Sequence, residues 1–195
     1  MPNPHSHANS PRAWDERYAG DAYVFGEAPS PFLTSCAERL RPGTTALSLA
    51  DGEGRNGVWL AERGLDVLSS DWSRRAQDKA RALAARRGVN LRFECADLTA
   101  RPWIPESFDV VLALNFHLPP EVRDAVFRGI RTSLRPGGLL LIEGIHKKTR
   151  DHHDPATLYD EGILRSLCAG LAVERLETFA EPSAKTKIAV LAARP

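Results

Sequence analysis

The chain has 195 residues, of which 43% are hydrophobic and 26% charged, enough for one domain with a substantial core. A formal charge of +1 gives no overall electrostatic case for nucleic acid or a membrane surface as partner. No apolar run is long enough to span a bilayer and the start lacks a signal-peptide pattern. Cys36, Cys95 and Cys168 form no CxxC pair, so reduced thiols and a cytoplasmic location are the expectation.

Residues 1–13, rich in Pro, His, Ser and Asn, read as a flexible tail in which His5 and His7 are solvated rather than metal ligands. Residues 14–195 read as a single domain. A short helix over Trp14–Tyr18 leads through Tyr23 and Phe25 to a turn at Pro29. A helix over Pro31–Leu40 then carries Phe32, Leu33, Cys36, Ala37 and Leu40 on one stripe.

The stretch ALSLADGEGRNGVWLAERGLDVLSSDWS, from Ala46 to Ser73, reads as strand, glycine turn, helix and strand. Ala46, Leu47 and Leu49 suit a strand covered on both faces. Arg55 to Arg63 forms a helix with Val58, Trp59, Leu60 and Ala61 inward, and Gly64 ends it. Leu65 to Ser70 is the second strand, finishing at Asp71. Gly52, Gly54 and Gly57 spell GxGxxG, and Asp71 stands where an acid can take ribose hydroxyls, so the unit predicts a nucleotide-type ligand. Asp51 and Glu53 beside the first glycine would repel a pyrophosphate and suit a ligand bearing an ammonium and a sulfonium.

Ser73 caps a basic helix to Arg87, closed by Gly88, whose outer face reads as solvated. Val89–Glu94 is a third strand, followed by Asp97, and Phe108–Leu114 a fourth, ending in Asn115-Phe116-His117. A helix from Pro119 follows, with Val122, Ala125, Val126, Gly129, Ile130 and Leu134 as its expected buried stripe. A turn at Pro136-Gly137-Gly138 precedes a fifth strand, Leu139–Ile145. His146 with Asp151, His152, His153 and Asp154 lacks fixed ligand spacing and reads as a loop at a pocket rim, not a metal site. A helix over Leu158–Ala169 leads to strands Leu171–Ala180 and Lys187–Ala193, whose short connection makes them antiparallel. The fold class expected is α/β: a Rossmann-like seven-stranded sheet, mostly parallel, with a C-terminal antiparallel hairpin and helices on both faces. Ligands of such a sheet sit beyond the carboxyl ends of its strands, where Asp51, Asp71, Asp97, Asn115 and His117 converge.

ADGEGRNGVWLAERG and DWS, together with FDVVLALNFHLPPEVR, LRPGGLLLIEG and WDERYAGDAYVFGEAPSPFL, resemble motifs of the class I S-adenosylmethionine-dependent methyltransferases. The subgroup most resembled includes the tellurite-resistance and thiopurine methyltransferase-like proteins. The likeness runs from Trp14 nearly to the C-terminus. It implies S-adenosyl-L-methionine as cofactor, held by Ala50, Asp51, Gly52, Glu53, Gly54, Asn56, Asp71, Trp72, Asp97, Leu98 and Asn115. It further implies that residues 14–42 form a lid and helix over the cofactor, with Tyr18, Tyr23, Phe25 and His117 facing the substrate and His117 as candidate base. The partner implied is a small-molecule acceptor, a thiol or chalcogen nucleophile being the kind suggested, for a monomer or homodimer without metal. Ser48 and Ala50 depart from the acid and glycine usual at those positions. Two other readings stay open, an NAD-type dinucleotide-binding protein and a catalytically inactive S-adenosylmethionine-binding protein.

Overall fold

The computed structural model describes residues 10–149, 154–180 and 185–195. Most of the expected tail, the residues Asp151, His152 and His153, and the turn at Pro182 lie outside that range. Helix α1 (Pro11–Arg17) and α2 (Pro31–Ser35) precede β1 (Thr45–Leu49), α3 (Arg55–Glu62), β2 (Asp66–Asp71), α4 (Arg74–Arg87) and β3 (Arg92–Cys95). Then come β4 (Phe108–Leu114), α5 (Pro120–Ser133), β5 (Leu134–Ile145), α6 (Glu161–Leu167), β6 (Ala172–Ala180) and β7 (Thr186–Ala193).

The strands form one seven-stranded sheet in the order β3-β2-β1-β4-β5-β7-β6. Strands β1 to β5 pair in parallel, while β7 pairs antiparallel with both β5 and β6. On one face Leu47, Val111, Leu140 and Val190 pack with Phe127, Ile130 and Leu164 of α5 and α6. On the other, Ala46, Val67, Leu112 and Leu141 pack with Phe32 and Leu33 of α2 and Leu60 of α3. The chain therefore leaves β1 toward one face and β4 toward the other. Between these adjacent strands lies the topological switch point where open α/β sheets place ligands.

Several local expectations are corrected. The helix expected over Pro31–Leu40 stops at Ser35 and resumes as a 3₁₀ turn at Ala37–Arg39. There the hydroxyls of Thr34 and Ser35 bond back to the Pro31 and Phe32 carbonyls, an alternative that competes with helix propagation. The turn expected at Pro136 to Gly138 is taken into a longer β5, with a register shift against β4 between Phe108 and Val110. The last helix starts only at Glu161, because Asp160 caps it by accepting from the Ile163 amide at 2.8 Å. In α5 the buried residues are Arg123, Val126, Phe127, Ile130 and Ser133, Val122 packs partly buried against the same core, and Ala125 is exposed, off the stripe.

Candidate functional site

The carboxyl end of β1 runs straight into the glycine turn. Gly52 and Gly54 both have positive φ, of 57° and 88°. A Cβ on Gly54 would lie 2.8 Å from Cβ of Ala80 on α4, so close helix approach as well as backbone twist demands glycine there. Ala50 (φ 47°) and Asn115 (φ 56°) are left-handed without being glycine, at the ends of β1 and β4 on either side of the switch point. Non-glycine residues in that region persist where surrounding structure holds them, and they cluster at functional sites.

Asp71 ends β2 and faces this turn. Its Oδ2 accepts from the Gly52 amide and its Oδ1 from the Ser73 amide, each at 2.9 Å. Burial pushes its carboxyl up to about 6, against the pull of those two amides. A carboxylate offers roughly four acceptor positions, so the backbone amides of Gly52, Trp72 and Ser73 do not use them all.

Asp51 and Glu53 are placed differently from the expectation that both face a ligand. The buried Asp51 carboxylate turns inward: Ser48 Oγ (2.7 Å), Ser69 Oγ (2.8 Å) and the Gly57 amide (3.1 Å) all donate to it. Burial raises its pKa, and the hydrogen bonds of Ser48, Ser69 and Gly57 oppose the rise. Glu53, also buried, accepts from the Val24 amide at 2.7 Å and pairs with Lys79. Both acids are consumed by the scaffold: Asp51 braces the turn from beneath, and Glu53 ties the N-terminal segment to it.

That segment crosses the site. Asp15 accepts from Ser73 Oγ (2.6 Å) and the Arg75 amide (3.2 Å), and Ser30 donates from its amide to Asn56 (2.9 Å) and from its hydroxyl to Glu143. Tyr18 is buried, stacked on Trp14 and edge-on to Phe25. Its hydroxyl would lie 3.0 Å from a Cβ on Gly52, and burial, then the Asp71 charge, raise its pKa. Phe25 remains 47% exposed. Tyr23 does not line the crevice, because its hydroxyl donates to the Lys79 carbonyl at 2.9 Å and accepts from Arg86 at 3.1 Å.

Trp72 and Leu98 lie at the β2 and β3 ends, half-buried and buried respectively. Asp97 is exposed, and its Oδ1 accepts from the Thr99 amide and hydroxyl. His117 is seated among backbone groups past the end of β4. Its Nδ1 contacts the Thr157 carbonyl at 3.2 Å, its Nε2 accepts from the Ile145 amide at 3.4 Å, and its ring stacks on Tyr159.

Sequence reasoning missed a buried polar group at the same edge. Glu143 of β5 pairs with Lys187 of β7 at 3.3 Å, and Asn115 donates to Glu143 at 3.3 Å and accepts from Lys187. The signal was present, since Glu143 shares its strand face with Leu139 and Leu141 at the period of two that marks a covered side. Among the described residues no group of three metal-binding side chains lies together, and no helix is long and apolar enough to cross a membrane.

Comparison with known proteins agrees with this architecture. Residues 46–138 match the model of a methyltransferase domain. The methyltransferase GfsG of Streptomyces halstedii is 32% identical over 161 residues, covering 78% of this chain and 56% of that protein. The chain spans about half the length of the curated relatives it matches. Among solved structures, the 1,6-didemethyltoxoflavin-N1-methyltransferase of Burkholderia thailandensis, with S-adenosylhomocysteine bound, superposes with a TM-score of 0.77 at 20% identity. That match covers 100% of this chain and 91% of that one. TehB of Haemophilus influenzae gives 0.73 at 17% identity, over 93% of this chain and 66% of that one. The fold is that of the Rossmann-like methyltransferases.

Proposed function

We propose that the protein is an S-adenosylmethionine-dependent methyltransferase acting on a small molecule. The observation that carries this is the pairing of Asp71 with the glycine turn at the switch point. A buried acid with acceptor capacity left, beside a backbone that glycine keeps open, suits ribose hydroxyls. The residues that would hold the cofactor are the turn 50–54, Asp71, Trp72, Leu98 and Asn115. Asp97 would stand at the adenine end. Bound there, S-adenosylmethionine supplies a methyl group already activated by its sulfonium.

The chain's own contribution is alignment and exclusion of water, which together can supply roughly 7–11 kcal/mol of a barrier. Tyr18 covers the turn and Phe25 reaches toward it, so the segment 14–30 acts as lid, and its aromatic faces favour a cation by about 0.5–2 kcal/mol each. His117, past the end of β4, is the candidate base, and an acceptor that brings its own nucleophile would not need it. A thiolate or chalcogen anion is such an acceptor at neutral pH, whereas an alcohol would need a base.

Thermal-shift titration tests the reading, because a ligand that binds only the folded state raises the melting temperature by mass action. S-adenosylhomocysteine should stabilise the protein and NAD should not. Stabilisation by NAD alone would remove the proposal.

A further inference from the structure

Arg123 stands out among the charged groups that the site does not use. It sits one turn into α5, heading the buried stripe that continues through Val126, Phe127 and Ile130. It is only 8% exposed, and its Nε and Nη1 are fully buried with no hydrogen-bond partner. A buried guanidinium with two nitrogens unpartnered is expensive, so one retained here points to a group that it meets in use. Its position is informative. Arg123 acts electrostatically on the buried Tyr159, drawing that hydroxyl's pKa down against burial. The Tyr159 hydroxyl in turn donates to the Phe116 carbonyl, just past the end of β4. Arg123 follows directly on the β4–α5 loop, its amide donating to the Pro119 carbonyl at 3.0 Å, and α5 covers the face of the sheet opposite to α3, the helix that continues from the glycine turn. The first turn of the 14-residue α5 adds its own positive end to the same place.

We infer that Arg123 is the anchor for an anionic group, a carboxylate or a phosphate-like oxyanion, carried by the methyl acceptor. The inference rests on the methyltransferase reading for the ligand's being an acceptor, and on Arg123 alone for its charge. A guanidinium presents its N–H groups in a planar fork that suits the oxygens of such an anion, and two of its three nitrogens are unpartnered here. The sequence held a clue, since Arg123 has the i, i+3, i+4, i+7 spacing to residues 126, 127 and 130 that marks an inward face.

The test is the Nε–H resonance of Arg123 in the full chain, assigned with Arg123→Lys and titrated with benzoate, inorganic phosphate and the neutral benzamide. Benzoate or phosphate should shift it saturably, and benzamide should not. Arg123→Met should weaken binding of that anion by about ten- to a hundredfold, the range for charge-assisted hydrogen bonds. It should not lower the melting temperature of the ligand-free protein, because it removes an unpaired buried charge. No shift with either anion, an equal shift with benzamide, or an Arg123→Met protein that is destabilised yet binds the anion normally would overturn the anchor. Should Arg123→Met fail to fold, the wild-type titration still decides. The same titrations with S-adenosylhomocysteine bound separate the two readings. If that compound itself shifts the Arg123 signal and excludes benzoate, the anion is the cofactor's own carboxylate and the acceptor anchor is refuted. If it binds neither wild type nor variant while benzoate does, the methyltransferase reading fails and Arg123 stands as an anion site.

Discussion

Asp51 and Ser48 exchange places with what the resembled family has, an acid where Ser48 stands. Ser48 donates to Asp51 at 2.7 Å, so a carboxylate stands within hydrogen-bond reach of that position, supplied from three residues further along. Asp51→Ala leaves the Ser48 and Ser69 hydroxyls and the Gly57 amide without their shared acceptor, and should cost about 1–3 kcal/mol or more. Ser48→Asp alone crowds two carboxylates and should also destabilise. The double variant Ser48→Asp/Asp51→Ala should recover much of the loss, a coupling that a double-mutant cycle measures directly. Additive losses in denaturant unfolding would show that the two positions do not share one role. Asp71 gives a pH signature. Its folded pKa of about 6 lies above its ordinary 3.8, so folding favours the protonated form. That contribution is present below about pH 4 and is lost as pH rises through about 6, by roughly 3 kcal/mol in all at 1.36 kcal/mol per unit. Asp71→Asn removes the titration, so its stability relative to wild type should climb between about pH 4 and 7. A constant difference across that range would refute the assignment.

At the scale of elements, the N-terminal segment is held at Asp15, Glu53 and Asn56, and by Ser30 on Glu143. Glu53→Ala frees the Val24 amide and breaks the pair with Lys79. Exchange of the Val24 amide should then speed up by about ten- to a hundredfold, as expected for loss of a hydrogen bond to a charged group, while strands β1 and β4 keep their protection. If the segment is a lid, S-adenosylhomocysteine should slow exchange of residues 18–25 further. Equal protection with and without it would mean a fixed structural strap. The strands, the glycine turn and the C-terminal hairpin were legible in the sequence, because apolar runs, glycine positions and short connections each dictate backbone geometry locally. The direction of Asp51 and Glu53 was not. Charge says what a side chain prefers to meet, but the twist of the turn decides whether it meets ligand, Ser69 or Lys79. The surroundings of His117 were not legible for a similar reason. Its partners, Thr157 and Ile145, come from distant parts of the chain, and no local pattern announces them.

For the whole molecule, the Glu143–Lys187 pair is where distant pieces of chain meet. Ser30 joins it from the N-terminal segment, Asn115 from the end of β4, Glu143 from β5 and Lys187 from β7. All of it is in the covered layer, with side-chain exposures of 6% for Lys187 and 3% for Glu143. Taking two charges out of water costs much of what their attraction returns, so the pair is weak evidence for stability as such. Its effect is to specify one register of β7 against β5 and one seat for Ser30, since any slip would strand a charge in apolar surroundings. Breaking it from one side should therefore be far worse than removing it altogether. Lys187→Met leaves Glu143 buried without its cation and should cost about 3–5 kcal/mol. In a chain of this length that is a fall in melting temperature of about 2–4 °C per kcal/mol. Glu143→Gln/Lys187→Met, which removes both charges and keeps an acceptor for Ser30, should recover most of that fall. Calorimetric melting of the two variants decides the point. A double variant no more stable than the single one would show that the lost stability belonged to the packing of Lys187 rather than to an uncompensated charge.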